Sequence, residues 1–232
     1  VKDIDHPIVL HIHTIKGKGL PYAEKVRESW HYNANFDPKT GEPKTKPEPK
    51  EEFGTITFDF LTDKMEKDPT VTFINAGVPM GFGFTKDRRE KLDKLRKQYV
   101  DVGIAEEHAT TFSSGMATNG AKPVFGVIST FVQRTYDQIL HDIAINKAPT
   151  VTLVFGGTLK GMNDVTHLGY FDIPMISNIP NIVYLAPTTK EEYLAMLDWA
   201  IDQNENPVFI KVPGGAVQHS ETDVDKDYSN LN

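Results

Sequence analysis

"KPVFGVISTFVQRTYDQILHDIAINKAPTVTLVF", residues 122–155, is the stretch that decides the fold. It opens with an apolar, β-branched run over 122–128, continues with a helical pattern over 131–146 and closes with a second such run over 150–155. A strand, a crossover helix and a following strand make a βαβ unit, in which the two strands lie parallel. The stretch therefore predicts a parallel sheet.

The same alternation extends to both sides of this stretch. Further helical patterns cover 52–67, 87–97, 106–119 and 189–203, and further strand patterns cover 70–75, 99–104, 181–186 and 207–212. The strands are near-continuous runs of Val, Ile and Phe, as expected when both faces of a sheet are covered. We therefore predict an α/β fold with a doubly wound, mostly parallel six-stranded sheet, whose ligands bind beyond the carboxyl ends of the strands. An earlier run, "PIVLHIHT" at 7–14, also predicts a strand.

Composition narrows the classes of function. A length of 232 residues suits one domain with a tail or two small domains, and a net charge of −7 offers no basic surface for nucleic acid or an anionic membrane. No apolar run approaches the roughly 20 residues that span a bilayer. The chain has no cysteine, which excludes thiolate catalysis and disulfides and fits a cytoplasmic location.

The domain layout follows from one unusual segment. Residues 37–52 are rich in Pro, Lys and Glu, so we expect an irregular, solvated linker there. We place a domain boundary at about residue 50. The predicted parts are 1–50, a central α/β domain at 51–218, and a tail or linker at 219–232.

The acidic pair Glu106–Glu107 directly follows the predicted strand 99–104. Acidic residues are common at helix starts, where they face the positive end of the helix dipole. The same position at the carboxyl end of a strand suits a functional carboxylate. Neighbouring residues of a helix diverge by about 100°, so only one of the two can face a ligand. The pattern leaves both interpretations open.

Three other residues are candidates by position. Phe131 lies outside the apolar stripe of its helix, where it could pack on loops or on a planar ligand. Arg134 is also off that stripe, as a solvated residue would be, and His167 lies in the glycine-punctuated loop 156–172. His11 and His13 lack a third ligand at a recognisable spacing, so no metal site is predicted.

Three stretches together resemble a known family. "DVGIAEEHATTFSSGMA" (101–117), "ISTFVQRTYDQILHDIAI" (128–145) and "THLGYFDIPMISNIPNIVYLAPT" (166–188) resemble the pyrimidine-binding domain of thiamine-diphosphate-dependent transketolases. Within that family they are most similar to the 1-deoxy-D-xylulose-5-phosphate synthase branch. "HIHTIKGKGLPYAEK" (11–25) resembles the end of the preceding pyrophosphate-binding domain.

The resemblance implies roles for the cofactor-binding residues. In this family, the glutamate matching Glu106 bonds a ring nitrogen of the cofactor's aminopyrimidine and promotes removal of the thiazolium C2 proton. Glu107 is the rival for this role by one residue. Phe131 matches the aromatic residue that packs on the pyrimidine face.

The resemblance also concerns the substrate side of the site. His31 and His167 match histidines that face the reacting centre, and Arg134 and His167 are the implied substrate-binding residues. Two arginines expected in the synthase branch are replaced here by Gly156 and Gly214. Guanidinium groups suit phosphate, so these replacements put the identity of the substrate in question.

The resemblance implies a transferase that uses thiamine diphosphate, acts on a ketose or 2-oxo acid and contributes to isoprenoid biosynthesis by a two-carbon transfer. Its Mg²⁺ would be bound by a domain that is not in this chain, since the GDG motif of the metal site is absent. The implied partners are a pyrophosphate-binding domain or subunit and a second copy in a homodimer. Two alternatives stay open: a divergent transketolase or 2-oxo-acid enzyme subunit with another acceptor, and a catalytically silent assembly or regulatory paralogue.

Overall fold

The computed structural model describes residues 2–31, 35–45, 50–157 and 166–230. Contacts within the chain divide it into two units, Val1–Pro49 and Lys50–Asn232. Across the described ranges, no helix combines the length and apolar character needed to cross a membrane.

The first unit has little regular structure. Its helix α1 covers Pro21–Lys25, and an antiparallel bridge joins Phe36 to Pro43. The strand predicted at 7–14 is wrong, because these residues form no ladder in the described part of the unit and Val9 is 94% exposed. A single extended segment without a partner strand forms no ladder, and the backbone groups of these exposed residues can bond water instead. The predicted linker has no other regular element at 37–45 and 50–52, and its residues 46–49 lie outside the described ranges.

The second unit contains the predicted six-stranded sheet. The strands are β1 (Val71–Asn75), β2 (Tyr99–Asp101), β3 (Lys122–Ile128), β4 (Val151–Phe155), β5 (Val183–Leu185) and β6 (Val208–Lys211). Their order is β2-β1-β3-β4-β6-β5, and every pair is parallel. The fold prediction is confirmed.

Helices connect the strands. The α-helices are α2 (Phe53–Lys67), α3 (Lys86–Glu90), α4 (Glu106–Thr118), α5 (Tyr136–Gln138), α6 (Asp172–Ile176) and α7 (Lys190–Asp202). Short 3₁₀ segments cover Pro79–Phe82, Asp93–Gln98 and Val132–Thr135, and a π-helical segment covers Ile139–Ala144. Three helical predictions, at 52–67, 106–119 and 189–203, match α2, α4 and α7 closely.

Alternate residues of each strand enter different cores. Phe73, Val151 and Val208 pack in one cluster with α2 and α7. Their chain neighbours Ile74 and Phe209 pack in a second cluster with α4 and the π-helical segment. Side chains alternate across a strand, so a run that is apolar at every position buries both faces of the sheet.

The helix predicted over 131–146 is interrupted. Within it, the amide of Ile145 bonds the carbonyl of Leu140 at 3.1 Å, five residues back. The Ser114 hydroxyl and the side-chain amide of Asn146 both donate to the backbone carbonyl of Asp142, at 2.7 and 2.9 Å. Side chains that take over a backbone acceptor in this way widen the helix locally. The helix predicted over 87–97 is also split, since Asp93 has a φ of 39°.

The strand order fixes where a site can form. The connection from β1 leads to β2 on one side, whereas the connection from β3 leads to β4 on the other. Such a reversal opens a crevice at the carboxyl ends of β1 and β3. The helix α4, which runs from β2 to β3, begins at this edge.

Two glycines allow a direct test of close packing against α2. Gly83 and Gly103 have the same φ of +73°. A Cβ on Gly83 would overlap the carbonyl oxygen of Gly54 and lie 2.9 Å from Cβ of Phe58, whereas one on Gly103 would meet nothing within 4 Å. We expect Gly103→Ala to lower the free energy of unfolding by about 1 kcal/mol through backbone strain alone. Gly83→Ala should lower the free energy of unfolding by about 1–3 kcal/mol more than Gly103→Ala does, as measured by urea unfolding. Equal losses in the two variants would contradict the close packing around Gly83.

Ion pairs and a hydrogen bond connect the segment after β6 to the start of α7. His219 lies between two carboxylates, with Nδ1 2.9 Å from Glu191 and Nε2 3.1 Å from Glu51. The amide of Ser220 also donates to Glu191 at 2.7 Å and, with the hydrogen bond from His219, lowers the pKa of Glu191 to about 2. The hydrogen bond with Glu191 raises the pKa of His219 above its ordinary 6.5, with the charges of both carboxylates contributing.

This cluster predicts a pH dependence with a definite sign. Because the pKa of His219 is raised by folding, its stabilisation is complete below pH 6.5 and is lost as the pH rises through the raised value. We expect wild type to exceed His219→Gln in urea midpoint at about pH 5.5 and to match it at about pH 9. Lys190 also pairs with Glu51, and this pair is present in both proteins. A midpoint difference that is independent of pH would contradict the assignment.

Candidate active site

Glu106 is the buried member of the acidic pair. Its side chain is 2% exposed, whereas Glu107 is exposed. The buried positions of α4 explain the choice, since Glu106, Ala109, Ser113 and Ala117 recur at the spacing of one helical face. Small residues on that face let the helix approach the sheet closely. The stripe is readable in the sequence and is the signal that separates the two glutamates.

Arg134 is the charge partner of this buried carboxylate. Its Nη1 donates to Oε2 of Glu106 at 3.2 Å, while about half of its own side chain stays in solvent (49% exposed). The same guanidinium lies over the ring of Phe131, 5.3 Å from the centroid. One cation therefore joins the carboxylate at the start of α4 to the aromatic ring that follows β3.

His167 completes the group from a second loop. Its ring lies edge-on to Phe131, with 5.1 Å between centroids. Its Nδ1 is hydrogen-bonded to the hydroxyl of Thr166 at 2.6 Å. The structure thus brings Glu106, Arg134, Phe131 and His167 to one place at the carboxyl edge of the sheet.

The fifth candidate, His31, belongs to the first unit. There its Nδ1 accepts a hydrogen bond from the ammonium group of Lys16. Its role at a reacting centre stays a prediction. Within the described ranges, no group of three or more His, Asp or Glu side chains is placed to hold a metal ion.

Sequence reasoning missed a second polar cluster at the same edge. Asp172 is fully buried and forms an ion pair with Lys211, with 3.0 Å between Nζ and Oδ2. The hydroxyl of Tyr184 donates to the same oxygen at 2.7 Å. These residues lie 39 and 12 positions from Asp172, so no local pattern could link them.

The four grouped residues suit a flat, nitrogen-containing ring. A buried carboxylate can bond a ring nitrogen, and an aromatic side chain can pack on the ring's face. The family model "Transketolase, pyrimidine binding domain" matches residues 53–218. The chain belongs to this family. The match spans the whole α/β sheet and includes Glu106, Phe131, Arg134 and His167.

Curated relatives agree with this membership. The chain is 38% identical over 214 residues to 1-deoxy-D-xylulose-5-phosphate synthase of Clostridium acetobutylicum, covering 92% of this chain and 33% of that protein. It is 37% identical over 216 residues to the Proteus mirabilis protein of the same name, covering 93% and 34%. The chain thus spans about a third of the length of these relatives.

Solved structures share the fold. A transketolase from Pichia stipitis, in complex with sedoheptulose-7-phosphate, has a TM-score of 0.62 at 16% identity, covering 74% of this chain and 27% of that one. A split-gene transketolase described as an inactive β4 tetramer has a TM-score of 0.58 at 18% identity, covering 71% and 51%.

The pairing of Glu106 with Arg134 can be measured as a coupling energy. Arg134→Met leaves a carboxylate buried without its cation and should lower the free energy of unfolding by about 1–3 kcal/mol. Glu106→Gln leaves a half-exposed arginine that water can hydrate, so its loss should be smaller. The double variant should lose less than the sum of the two, as shown by urea unfolding.

Arg96→Met is the control for this cycle. It removes an exposed arginine that donates to the backbone carbonyl of Arg89. We expect a change within about 0.5 kcal/mol for this variant. The pairing would be contradicted by losses that simply add in the double variant.

Proposed function

We propose that this chain is the pyrimidine-binding part of a thiamine-diphosphate-dependent transferase of the 1-deoxy-D-xylulose-5-phosphate synthase type. The observation that carries the proposal is the buried Glu106 carboxylate beside Phe131, at the crevice of a transketolase pyrimidine-binding fold. The relatives that bear the synthase name support this branch of the family.

Glu106 and Phe131 would hold the aminopyrimidine end of the cofactor. Phe131 offers a half-buried ring for its face, and Glu106 offers a carboxyl oxygen for its ring nitrogen. When bound, thiamine diphosphate would supply a nucleophilic carbon and an electron sink for a two-carbon transfer. The task of Glu106 is to share a proton with the ring nitrogen, and burial of the carboxylate keeps competing water away.

Arg134 and His167 would serve the substrate side. Arg134 has half of its side chain in solvent and lies within reach of the same aromatic ring. His167 lies edge-on to the same aromatic ring, and its imidazole can donate to or accept from a ketose or 2-oxo acid. The proposed role of His31, in the first unit, is also on the substrate side.

The remaining parts of the site would come from partners. A pyrophosphate-binding domain or subunit would hold the diphosphate and its Mg²⁺, and the working unit would be a cytoplasmic homodimer. Exposed apolar residues near His167 support a partner that covers this edge of the sheet. They are 40–61% exposed: Leu168, Tyr170, Phe171 and Ile173. Apolar patches of this kind commonly mark interfaces.

A second candidate is a transketolase-like enzyme that uses an unphosphorylated acceptor. Gly156 follows β4 with a φ of +76°, a conformation that an arginine side chain would strain. The backbone here is therefore shaped for glycine at a position where the synthase branch has a phosphate-binding arginine. Equal kcat/KM values for a phosphorylated aldehyde and its unphosphorylated analogue would favour this candidate.

The proposal is tested by comparing Glu106→Gln with Glu107→Gln. The measurement is the exchange rate of the cofactor's C2 proton in the assembly with the pyrophosphate-binding partner. Glu106→Gln should slow exchange by about 10²–10⁴-fold, because the amide cannot share the proton. The matched change Glu107→Gln alters an exposed neighbour and should leave the rate within about 2-fold. Unchanged exchange in both variants would refute the role of the pair.

A further inference from the structure

The ion pair between the buried Asp172 and the partly exposed Lys211 has no part in the chemistry proposed above. The Lys211 ammonium lies 3.0 and 3.2 Å from the two oxygens of Asp172, and Tyr184 donates to one of them at 2.7 Å. The side chain of Asp172 is 0% exposed and that of Lys211 is 19% exposed. Burial and the neighbouring Asp172 raise the pKa of Tyr184, so its phenol keeps its proton and acts as the donor.

These three residues join different parts of the chain. Lys211 is the last residue of β6, and Tyr184 is the middle residue of the adjacent strand β5. Asp172 is the first residue of α6. The carboxylate therefore fastens the start of α6 to the carboxyl edge of two strands.

His167 lies five residues before this anchor, at the other end of a short segment. There the hydroxyl of Thr130 donates to the carbonyl of Thr166 at 3.4 Å, and the His167 ring meets Phe131. In the middle of this segment, a Cβ added to Gly169 would lie 2.9 Å from the hydroxyl oxygen of Ser129 and 2.9 Å from the carbonyl oxygen of Gly156. The backbone of 166–172 thus passes in close contact over the ends of β3 and β4.

We propose that Asp172 and Lys211 are positioning residues that hold the segment 166–172 so that His167 stands against Phe131. Removing Lys211 leaves the Asp172 carboxylate buried without its cation, and the segment must then loosen to let that charge reach water. The link to catalysis rests on the proposed function, because it needs His167 to face the substrate. The anchoring itself concerns the chain alone.

The first test is hydrogen exchange on the 232-residue chain. In Lys211→Met, two amides should exchange about 10-fold faster or more. They are the amide of Met175 in α6 and that of Ser177 directly after it, which bond the carbonyls of Phe171 and Ile173. Lys211→Arg keeps the charge and should restore slow exchange. Unchanged exchange in Lys211→Met would overturn the anchoring.

A matched control removes a lysine of equal burial elsewhere. Lys64 is 17% exposed and pairs with Asp198 and Asp202, between α2 and α7. Lys64→Met should leave exchange in α6 unchanged, and equal acceleration there would overturn a specific role for Lys211. If Lys211→Met does not fold, Tyr184→Phe removes one donor to Asp172 and should give the same pattern with a smaller change; no change would again count against the anchoring.

The second test separates positioning from loss of folded protein. In the assembly with the pyrophosphate-binding partner, Lys211→Met should lower kcat for substrate turnover by about 10–100-fold through misplacement of His167. C2 proton exchange depends on Glu106 and should stay within about 2-fold, and Lys211→Arg should recover turnover. Proportional losses of exchange and turnover would overturn the positioning role. Absence of C2 exchange in the wild-type assembly would instead refute the proposed function, while the hydrogen-exchange result would stand.

Discussion

A parallel sheet covered on both faces leaves its strand ends as the place for polar chemistry, and this constraint organises the second unit. Each strand is apolar at nearly every position because both of its faces are buried. Polar side chains therefore gather where the strands stop. Glu106 follows β2, Arg134 follows β3, and Lys211 ends β6. The carboxyl ends of parallel strands lie at one edge, so residues far apart in sequence become neighbours there.

The fold could be predicted from the sequence because its strongest signals are local. Runs of β-branched residues separated by helical patterns are sufficient to give six strands, and the βαβ rule gives their parallel direction. Irregular helices were beyond such reasoning. The π-helical segment Ile139–Ala144 depends on a hydroxyl from α4, and the five-residue α6 includes Pro174. The run at 7–14 shows the converse, since strand propensity without a partner strand gives no strand.

The site was predictable only as far as single residues carry a pattern. The sequence placed Glu106, Phe131, Arg134 and His167 at strand ends, and the structure brings these four together. It could not show that Arg134 bonds Glu106, because the pair is separated by 28 positions and the spacing has no periodic meaning. The same limit hid Asp172 and its partners. Pairings of this kind are products of tertiary packing, and a single sequence does not encode them in any local window.

Glu106 and Asp172 are both buried carboxylates at the carboxyl edge of the sheet, but their cationic partners differ in exposure. This difference gives the two ion pairs different physical behaviour. Arg134 keeps 49% of its side chain in solvent, so its guanidinium can leave Glu106 without losing its hydration. Lys211, at the end of β6, is 19% exposed and pairs with a fully buried Asp172. Its departure would leave the Asp172 carboxylate unpaired in the interior. Glu106 is thus the carboxylate that can exchange one partner for a ligand. Asp172 is the carboxylate that must keep its partner, and it therefore suits holding the loop around a site better than reacting within it.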